Sequence, residues 1–109
     1  MKGIVFVGKS LEVIRVFPDD VKQEAGYQLD RVQRGFDPTD WKPMTSIGQG
    51  VREIRIQVQG QWRVIYIAKF DEAIYVLHAF RKKAQKTPRP DIEAAKRALG
   101  EVIQRFRDE

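Results

Sequence analysis

Three apolar segments joined by short turns lie in the middle of this 109-residue chain and constrain its fold most strongly. The segment VREIRIQV, starting at Val51, alternates between apolar and polar residues, which predicts a half-buried β-strand. The next two, WRVIYIAKF and IYVLHAF, are apolar on both faces, as central strands of a covered sheet are. The turns QGQ and DEA join them as hairpins, so we expect a meander of antiparallel strands.

The alternation of the first strand predicts which side chains share a face of the sheet. One face is expected to carry Ile54, Ile56 and Val58, and the other Glu53, Arg55 and Gln57.

A first strand and two helices are predicted before the meander. Residues 2–7 form the strand, and Ser10 is expected to cap a short helix. The apolar residues of that helix recur at a spacing of three: Leu11, Ile14 and Phe17. Pro18 is expected at the start of a second helix, which ends at Gly35. The apolar stripe of this helix consists of Val21, Ala25, Leu29, Val32 and Phe36.

The remaining segments are a loop and a terminal helix. Residues 37–50 contain two Pro and two Gly and are predicted to form an ordered loop. An amphipathic helix is expected from Pro88 or Pro90 onward. Its apolar face consists of Ile92, Ala95, Leu99, Val102, Ile103 and Phe106.

The predicted order β-α-α-β-β-β-α belongs to the α+β class, with an antiparallel meander packed against helices. The length predicts a single domain over residues 1–109. No apolar stretch approaches the roughly 20 residues of a membrane helix, and no secretory signal is evident, so a cytoplasmic protein is expected. Because the chain has no Cys, a disulfide framework and thiolate chemistry are excluded.

The net charge of +5 is concentrated in one part of the chain. Residues 51–89 carry nine Lys and Arg against three Asp and Glu, and residues 81–90 carry five cations and no acid. Such a field attracts polyanions, most often nucleic acid. The alternative interpretation is a solvated basic face that keeps the protein soluble.

The sequence offers little material for metal or cofactor sites. It has a single His and no Cys, and its GQG motif lacks the Lys-Ser/Thr and the helix of a phosphate-binding loop. We therefore expect no metal and no cofactor.

Cations on neighbouring strands are the remaining candidates. Arg63 follows the hairpin turn and is expected across from Arg55, while Arg81, Lys82 and Lys83 follow the last strand. The meander would bring Arg55, Arg63 and Lys82 or Lys83 into one patch. Because clustered cations repel one another, such a patch suggests an anionic ligand. Alternatively, each Arg stacks on a neighbour or pairs with one of three acids: Glu53, Asp71 or Glu72.

A basic patch without a metal suits RNA cleavage by the neighbouring 2′-hydroxyl. That reaction needs a base, an acid and cations where charge accumulates on the phosphorane. A Lys among other cations has a lowered pKa and is a candidate for proton transfer. His78 is a further candidate general acid or base. Its alternative role is structural, because it is expected to share a face with Val76 and Phe80.

Several segments resemble a known family. GVREIRI, QWRVIYI and YVLHAFRKKAQKTP, followed by IEAAKRALGEVI, are similar to the phage-derived HigB-like branch of the RelE/ParE toxin superfamily. The resemblance extends from FP at Pro18 and DWKPM to the last helix, and implies a RelE-like fold. It also implies a type II toxin that cleaves mRNA without metal, usually within the ribosome. The implied partner is a cognate antitoxin, commonly a small helix-turn-helix repressor.

The resemblance also assigns roles by position. Arg63 matches an active-site arginine of the superfamily, while Arg55, Lys82 and Lys83 match recurring basic positions. The two Arg would bind the scissile phosphate, and Lys82 or Lys83 would transfer a proton or stabilise charge. Relatives often add a Tyr or His in the last helix, which this chain lacks, so the base remains His78 or a Lys.

Four more cations are expected to bind RNA or the ribosome: Arg52, Arg81, Lys86 and Arg89. Two alternatives keep the fold without the nuclease. One is a ParE-like toxin that binds gyrase, and the other is a non-catalytic nucleic-acid-binding phage remnant.

Overall fold

A five-stranded sheet forms the middle layer of the fold, with strand order β1-β5-β4-β3-β2. The computed structural model describes residues 1–107. In chain order the elements are β1 (Gly3–Phe6), α1 (Ser10–Arg15), α2 (Asp19–Gln33), β2 (Trp41–Pro43), β3 (Val51–Gln57), β4 (Gln61–Ile67), β5 (Ala73–Lys82) and α3 (Arg89–Arg107). Neighbouring strands are antiparallel, except that β1 and β5 are parallel. The predicted α+β class and the meander of β3, β4 and β5 are confirmed.

Each face of the sheet is covered by helices, which explains why β4 and β5 are apolar on both sides. On one face α3 packs Leu99 and Val102 against β4 and β5. On the other, α1 and α2 bury Ile14, Val21 and Ala25. A fully buried aliphatic side chain stabilises the fold by about 1.5–3 kcal/mol, so these two layers fix the strands that position the site. None of the helices within residues 1–107 is long and apolar enough to cross a membrane.

The predicted loop at residues 37–50 contains an unpredicted edge strand, β2. Trp41 pairs with Ile54, and the Met44 backbone N–H donates to the Val51 carbonyl at 2.8 Å. Three residues are too few to show alternation, and Pro43 favours an edge position because it donates no ladder hydrogen bond. The element order is therefore β-α-α-β-β-β-β-α.

A β-bulge in β5 changes which of its side chains share a face. Ile65 pairs with His78 and Tyr66 with Val76, so Leu77 is an extra residue. Leu77 and His78 consequently both lie toward α3, whereas Val76 lies toward α1 and α2. The prediction that His78 shares a face with Val76 was wrong, although the one with Phe80 is confirmed by their stacked rings.

Three other local predictions differ from the structure. Phe36 is 60% exposed because α2 has already ended and the chain has turned at Gly35, whose φ is 92°. Ile103 is 39% exposed, since it lies at the margin of the apolar face of α3. Ser10 does not cap α1: its hydroxyl donates to the Val76 carbonyl at 3.2 Å and so ties α1 to the sheet.

The β3–β4 hairpin sets the register that brings the cations together. Its loop, residues 58–60, includes Gln59 with φ 51° and Gly60 with φ 120°. Positive φ values give the backbone the twist that a tight hairpin needs. The resulting register places Arg55 directly across from Arg63.

Replacing Gly60 tests this turn. The change Gly60→Ala should lower the free energy of unfolding by more than about 1 kcal/mol, because an L side chain is strained at this φ. The matched change Gly26→Ala lies on the exposed side of α2 with open space around it, and should raise stability by up to about 1 kcal/mol. Urea unfolding measures both. Equal stability of the two variants would contradict the role given to the turn.

Candidate functional site

Four cations from four adjacent strands form what we call the basic cluster: Lys42 on β2, Arg55 on β3, Arg63 on β4 and Lys82 on β5. Arg55 and Arg63 are cross-strand partners, and the positive charges of both act on Lys82. The cluster lies on the α3 face of the sheet, beside the start of α3. The N-terminal end of a helix carries partial positive charge, which strengthens the field there.

A buried carboxylate holds the basic cluster together. Glu53 is fully buried, with its Oε1 atom 3.5 Å from Arg63 Nε and 3.9 Å from Lys42 Nζ. Its Oε2 atom accepts a hydrogen bond from Thr87 Oγ1 at 2.8 Å. A carboxylate in such a position is stable only when cations and donors surround it. Glu53 therefore joins β2, β3 and β4 to the segment that precedes α3.

The sequence placed Glu53 on a polar face and did not indicate that this face would be covered. Alternation assigned it correctly to the side of Arg55. The alternative interpretation, in which acids pair with the arginines, holds in part, because Arg63 pairs with Glu53. Arg55 instead approaches Asp40, at 3.9 Å, while Asp71 and Glu72 are exposed in the β4–β5 turn.

Arg63 is buried and retains unused hydrogen-bonding capacity. Its side chain is 7% exposed, and one terminal nitrogen donates to the Trp62 carbonyl at 2.9 Å. Burial, opposed by the charge of Glu53 and reinforced by Arg55, lowers the pKa of Arg63, yet a guanidinium remains charged. The Nε atoms of Arg55 and Arg63 are buried and make no hydrogen bond within residues 1–107, and the same holds for Glu53 Oε1, which faces Arg63 Nε at 3.5 Å. Because these atoms are covered, an oxyanion would bind the terminal N–H groups of the two guanidinium groups.

Lys82 is the member of the basic cluster best suited to proton transfer. Burial and, after it, the charge of Arg63 lower its pKa, with Glu53 acting in the opposite direction. A lysine that titrates below its usual range can exchange a proton more readily near neutral pH. Lys83 lies beyond the end of β5 and is exposed, so it is not held in the cluster.

His78 connects β5 to the first turn of α3. Its Nε2 atom lies 2.7 Å from Asp91 Oδ1, and its ring stacks on Phe80 with centroids 5.6 Å apart. These contacts hold the ring in one orientation and support the structural interpretation. The pair also keeps α3 in register with the strand that carries Lys82.

The other predicted RNA-binding residues lie outside the basic cluster. Arg52 faces α2, with a terminal nitrogen 2.8 Å from Asp37 Oδ1 and its guanidinium carbon 3.9 Å from the centroid of the Trp41 ring. Arg81 faces the same side and lies over Trp62. Their neighbours Glu53 and Lys82 lie on the other face, because adjacent residues of a strand point to opposite sides of the sheet.

Lys86 and Arg89 are exposed near the start of α3. Arg89 is the first residue of that helix, and its Nε atom lies 3.9 Å from Glu93 Oε1. Both residues therefore lie in the part of the chain that adjoins the cluster through Thr87.

Together the fold and the cluster define a small α+β protein with a basic, partly desolvated face suited to an anion. The chain belongs to the phage-derived Gp49-like family (DUF891), whose model matches residues 12–100. This family is associated with RelE-like and toxin-like proteins. The match includes all four residues of the basic cluster and confirms the expected phage-derived, toxin-like class. A comparison with curated proteins finds no match for this chain.

Glu53→Gln should destabilise the protein, because it leaves Arg63 buried without its counter-charge. Removing one partner of a buried ion pair typically costs about 3–5 kcal/mol. The control Glu72→Gln changes an exposed turn residue and should leave stability within about 0.5 kcal/mol of wild type. Chemical denaturation of both variants measures the difference. If Glu53→Gln is as stable as the control, Glu53 does not hold the cluster together.

Lys82→Gln should stabilise the folded state at neutral pH. Since the pKa of Lys82 is lower in the folded state than its usual 10.5, the unfolded chain binds this proton more tightly. Stability therefore rises as the pH increases from the lowered pKa toward 10.5, and the substitution removes that slope. Unfolding free energies measured between pH 7 and 10.5 test this. Lys83→Gln, outside the cluster, is the control and should keep the wild-type slope.

Proposed function

We propose that this protein is the toxin of a type II toxin–antitoxin module and a metal-independent mRNA endoribonuclease that acts in the cytoplasm on ribosome-bound mRNA. The observation that carries the proposal is the basic cluster, in which two arginines paired across neighbouring strands lie beside a lysine of lowered pKa. Membership in the Gp49-like family supports a toxin-like role.

The reaction that suits this arrangement is attack of the RNA 2′-hydroxyl on the adjacent phosphorus. The 2′-oxygen forms a bond to phosphorus, the bond to the 5′-oxygen breaks, and the products are a 2′,3′-cyclic phosphate and a 5′-hydroxyl. Arg55 and Arg63 would bind the non-bridging oxygens, where negative charge grows in the transition state. Lys82, as the neutral amine, would accept the proton of the 2′-hydroxyl, and the resulting ammonium group would donate it to the leaving 5′-oxygen.

Activity on the ribosome is supported by the cations next to the cluster. Lys83, Lys86 and Arg89 are exposed around the start of α3. Exposed cations of this kind accelerate encounter with a polyanion such as ribosomal RNA without specifying a bond. They would orient the molecule so that the cluster faces the mRNA.

The partner that this function requires is an antitoxin, and we propose a small helix-turn-helix repressor encoded next to the toxin. An acidic segment of that protein would neutralise the basic cluster. A structure of the complex tests this part separately, because an antitoxin that leaves Arg55, Arg63 and Lys82 uncovered would contradict it.

Arg63→Ala should abolish growth arrest on expression and reduce cleavage at least about 100-fold, the usual effect of removing a donor that stabilises transition-state charge. The measurement is mapping of mRNA 5′ ends after brief induction. Arg15→Ala, which changes an exposed arginine on α1, is the matched control and should remain toxic. Circular dichroism and thermal unfolding check that Arg63→Ala folds, because this change also removes a counter-charge of the buried Glu53.

Other outcomes would select the alternatives. Full toxicity of both Arg63→Ala and Lys82→Ala would remove the proposed site. DNA cleavage complexes with intact mRNA would identify a ParE-like gyrase-binding toxin instead. A wild-type protein that is harmless on expression would indicate a non-catalytic nucleic-acid-binding remnant.

A further inference from the structure

A cavity of about 380 Å³ lies on the α2 side of the sheet, where α2 ends beside β3 and β4. Small-molecule sites typically have volumes of about 300–1,000 Å³. The lining residues that matter for its chemistry are Lys2, Phe36, Asp37, Arg52, Tyr66 and Lys69. Because Arg52 and Glu53 are adjacent on β3 and point to opposite faces, the cavity is separate from the basic cluster.

The lining carries three cations and one acid. Asp37 is already paired with Arg52, whose terminal nitrogen lies 2.8 Å from the carboxylate. Lys2 and Lys69 form no ion pair with any residue in the described range 1–107. Two positive charges at one opening therefore have no counter-charge from these residues, which favours an anionic ligand.

The wall that carries Lys2 is already formed. The Lys2 backbone N–H donates to the Gln33 carbonyl at 3.2 Å, and the Gln33 side-chain amide donates to the Lys2 carbonyl at 2.9 Å. Lys2 Nζ donates to the Ala68 carbonyl at 2.6 Å, which fixes the ammonium group and leaves two further N–H donors. A ligand would meet a charge that is already positioned, which lowers the entropy lost on binding.

The cavity also combines an exposed aromatic ring with a buried hydroxyl. Phe36 is 60% exposed, although apolar surface is normally buried, and the core does not use its ring. Tyr66 is 1% exposed, and the positive charge of Arg52 acts on its hydroxyl.

We propose that this cavity binds one nucleotide, with its phosphate held by Lys2 and Lys69 and its base stacked on Phe36. The Phe36 ring is approached by the Arg31 guanidinium, whose carbon lies 5.7 Å from the ring centroid, and it remains 60% exposed. A simple inorganic anion would not contact this ring, and a neutral aromatic compound would not pair with the cations. Proteins usually bind the nucleotides of a single strand by stacking each base on an aromatic side chain and placing cations beside the phosphates. The nucleotide is either a free mononucleotide or one unit of an RNA strand, and the two sources share this chemistry.

The test is an NMR titration of the full chain carrying Arg63→Ala, so that RNA stays intact. The probes are adenosine 5′-monophosphate, an oligoadenylate of six nucleotides and inorganic phosphate. We expect the backbone amide signals of Gly35, Phe36, Gly50 and Ala68 to shift. Shifts with the mononucleotide support a free nucleotide as ligand, and shifts with the oligonucleotide alone support a unit of RNA.

Two matched pairs of variants test whether the cavity residues bind the nucleotide. Phe36→Ala should weaken nucleotide binding about tenfold, the usual loss when one base loses its aromatic partner, whereas Tyr27→Ala, another exposed aromatic residue on α2, should bind like its parent. Lys69→Gln should also weaken binding, and Lys9→Gln, on an exposed residue outside the cavity, should not.

Three results would overturn the proposal. In the first, neither nucleotide probe shifts the cavity signals. In the second, inorganic phosphate binds as tightly as the nucleotides. In the third, Phe36→Ala and Tyr27→Ala bind equally well. Because the titration reads binding in a protein that lacks Arg63, its outcome does not depend on whether the wild-type protein cleaves mRNA.

Discussion

The buried carboxylate of Glu53 is the interaction on which the rest of the site depends. Four cations on neighbouring strands would repel one another, and two of their guanidinium nitrogens are buried. Glu53 offsets part of that repulsion at the sheet surface, and its bond to Thr87 fixes where α3 begins. The carboxylate neutralises only part of the charge. A positive excess therefore remains, in a geometry that is already fixed before any anion binds, which is the condition for efficient electrostatic stabilisation.

The bulge in β5 is the second constraint, because the extra residue Leu77 shifts by one position which side chains of the strand face α3. Before it, Tyr75 contributes to the core under α3, and after it, Phe80 and Lys82 lie on the same side. If the same sequence paired regularly, alternation from Tyr75 would place Arg81 on the α3 face and Lys82 on the α2 face. One irregularity in the backbone thus decides which of two adjacent cations joins the cluster.

Most of what the sequence could predict came from the two-residue alternation of apolar and polar side chains along a strand. Alternation in β3 and the hairpin before β4 were enough to place Arg55 across from Arg63, because both depend on local rules. The same rules do not extend to β2, which is too short, or to the bulge, which has no residue signature. Local rules also do not predict the burial of Glu53, because its hydrogen bond to Thr87 joins residues 34 positions apart. Phe36 continues the apolar spacing of α2 in the sequence, but the helix itself ends at Gln33.

The roles of the individual cations were harder to predict than their positions. Arg52 and Arg81 belong to the same basic part of the chain as Arg55 and Arg63. They differ from them in the face of the sheet on which their side chains lie. Sequence similarity identified a toxin-like, phage-derived family, which the family match confirms.

The pairing of β1 with β5 has a consequence for the order in which the molecule assembles. Gly3 pairs with Ala73, which follows it much later in the chain, whereas the other strand pairs are antiparallel neighbours joined by short connections. Local pairings lose little chain entropy when they form, whereas closing a long loop costs more. We therefore expect the meander to form first and β1 to join it late. A nascent chain would carry an incomplete sheet until β5 has left the ribosomal tunnel.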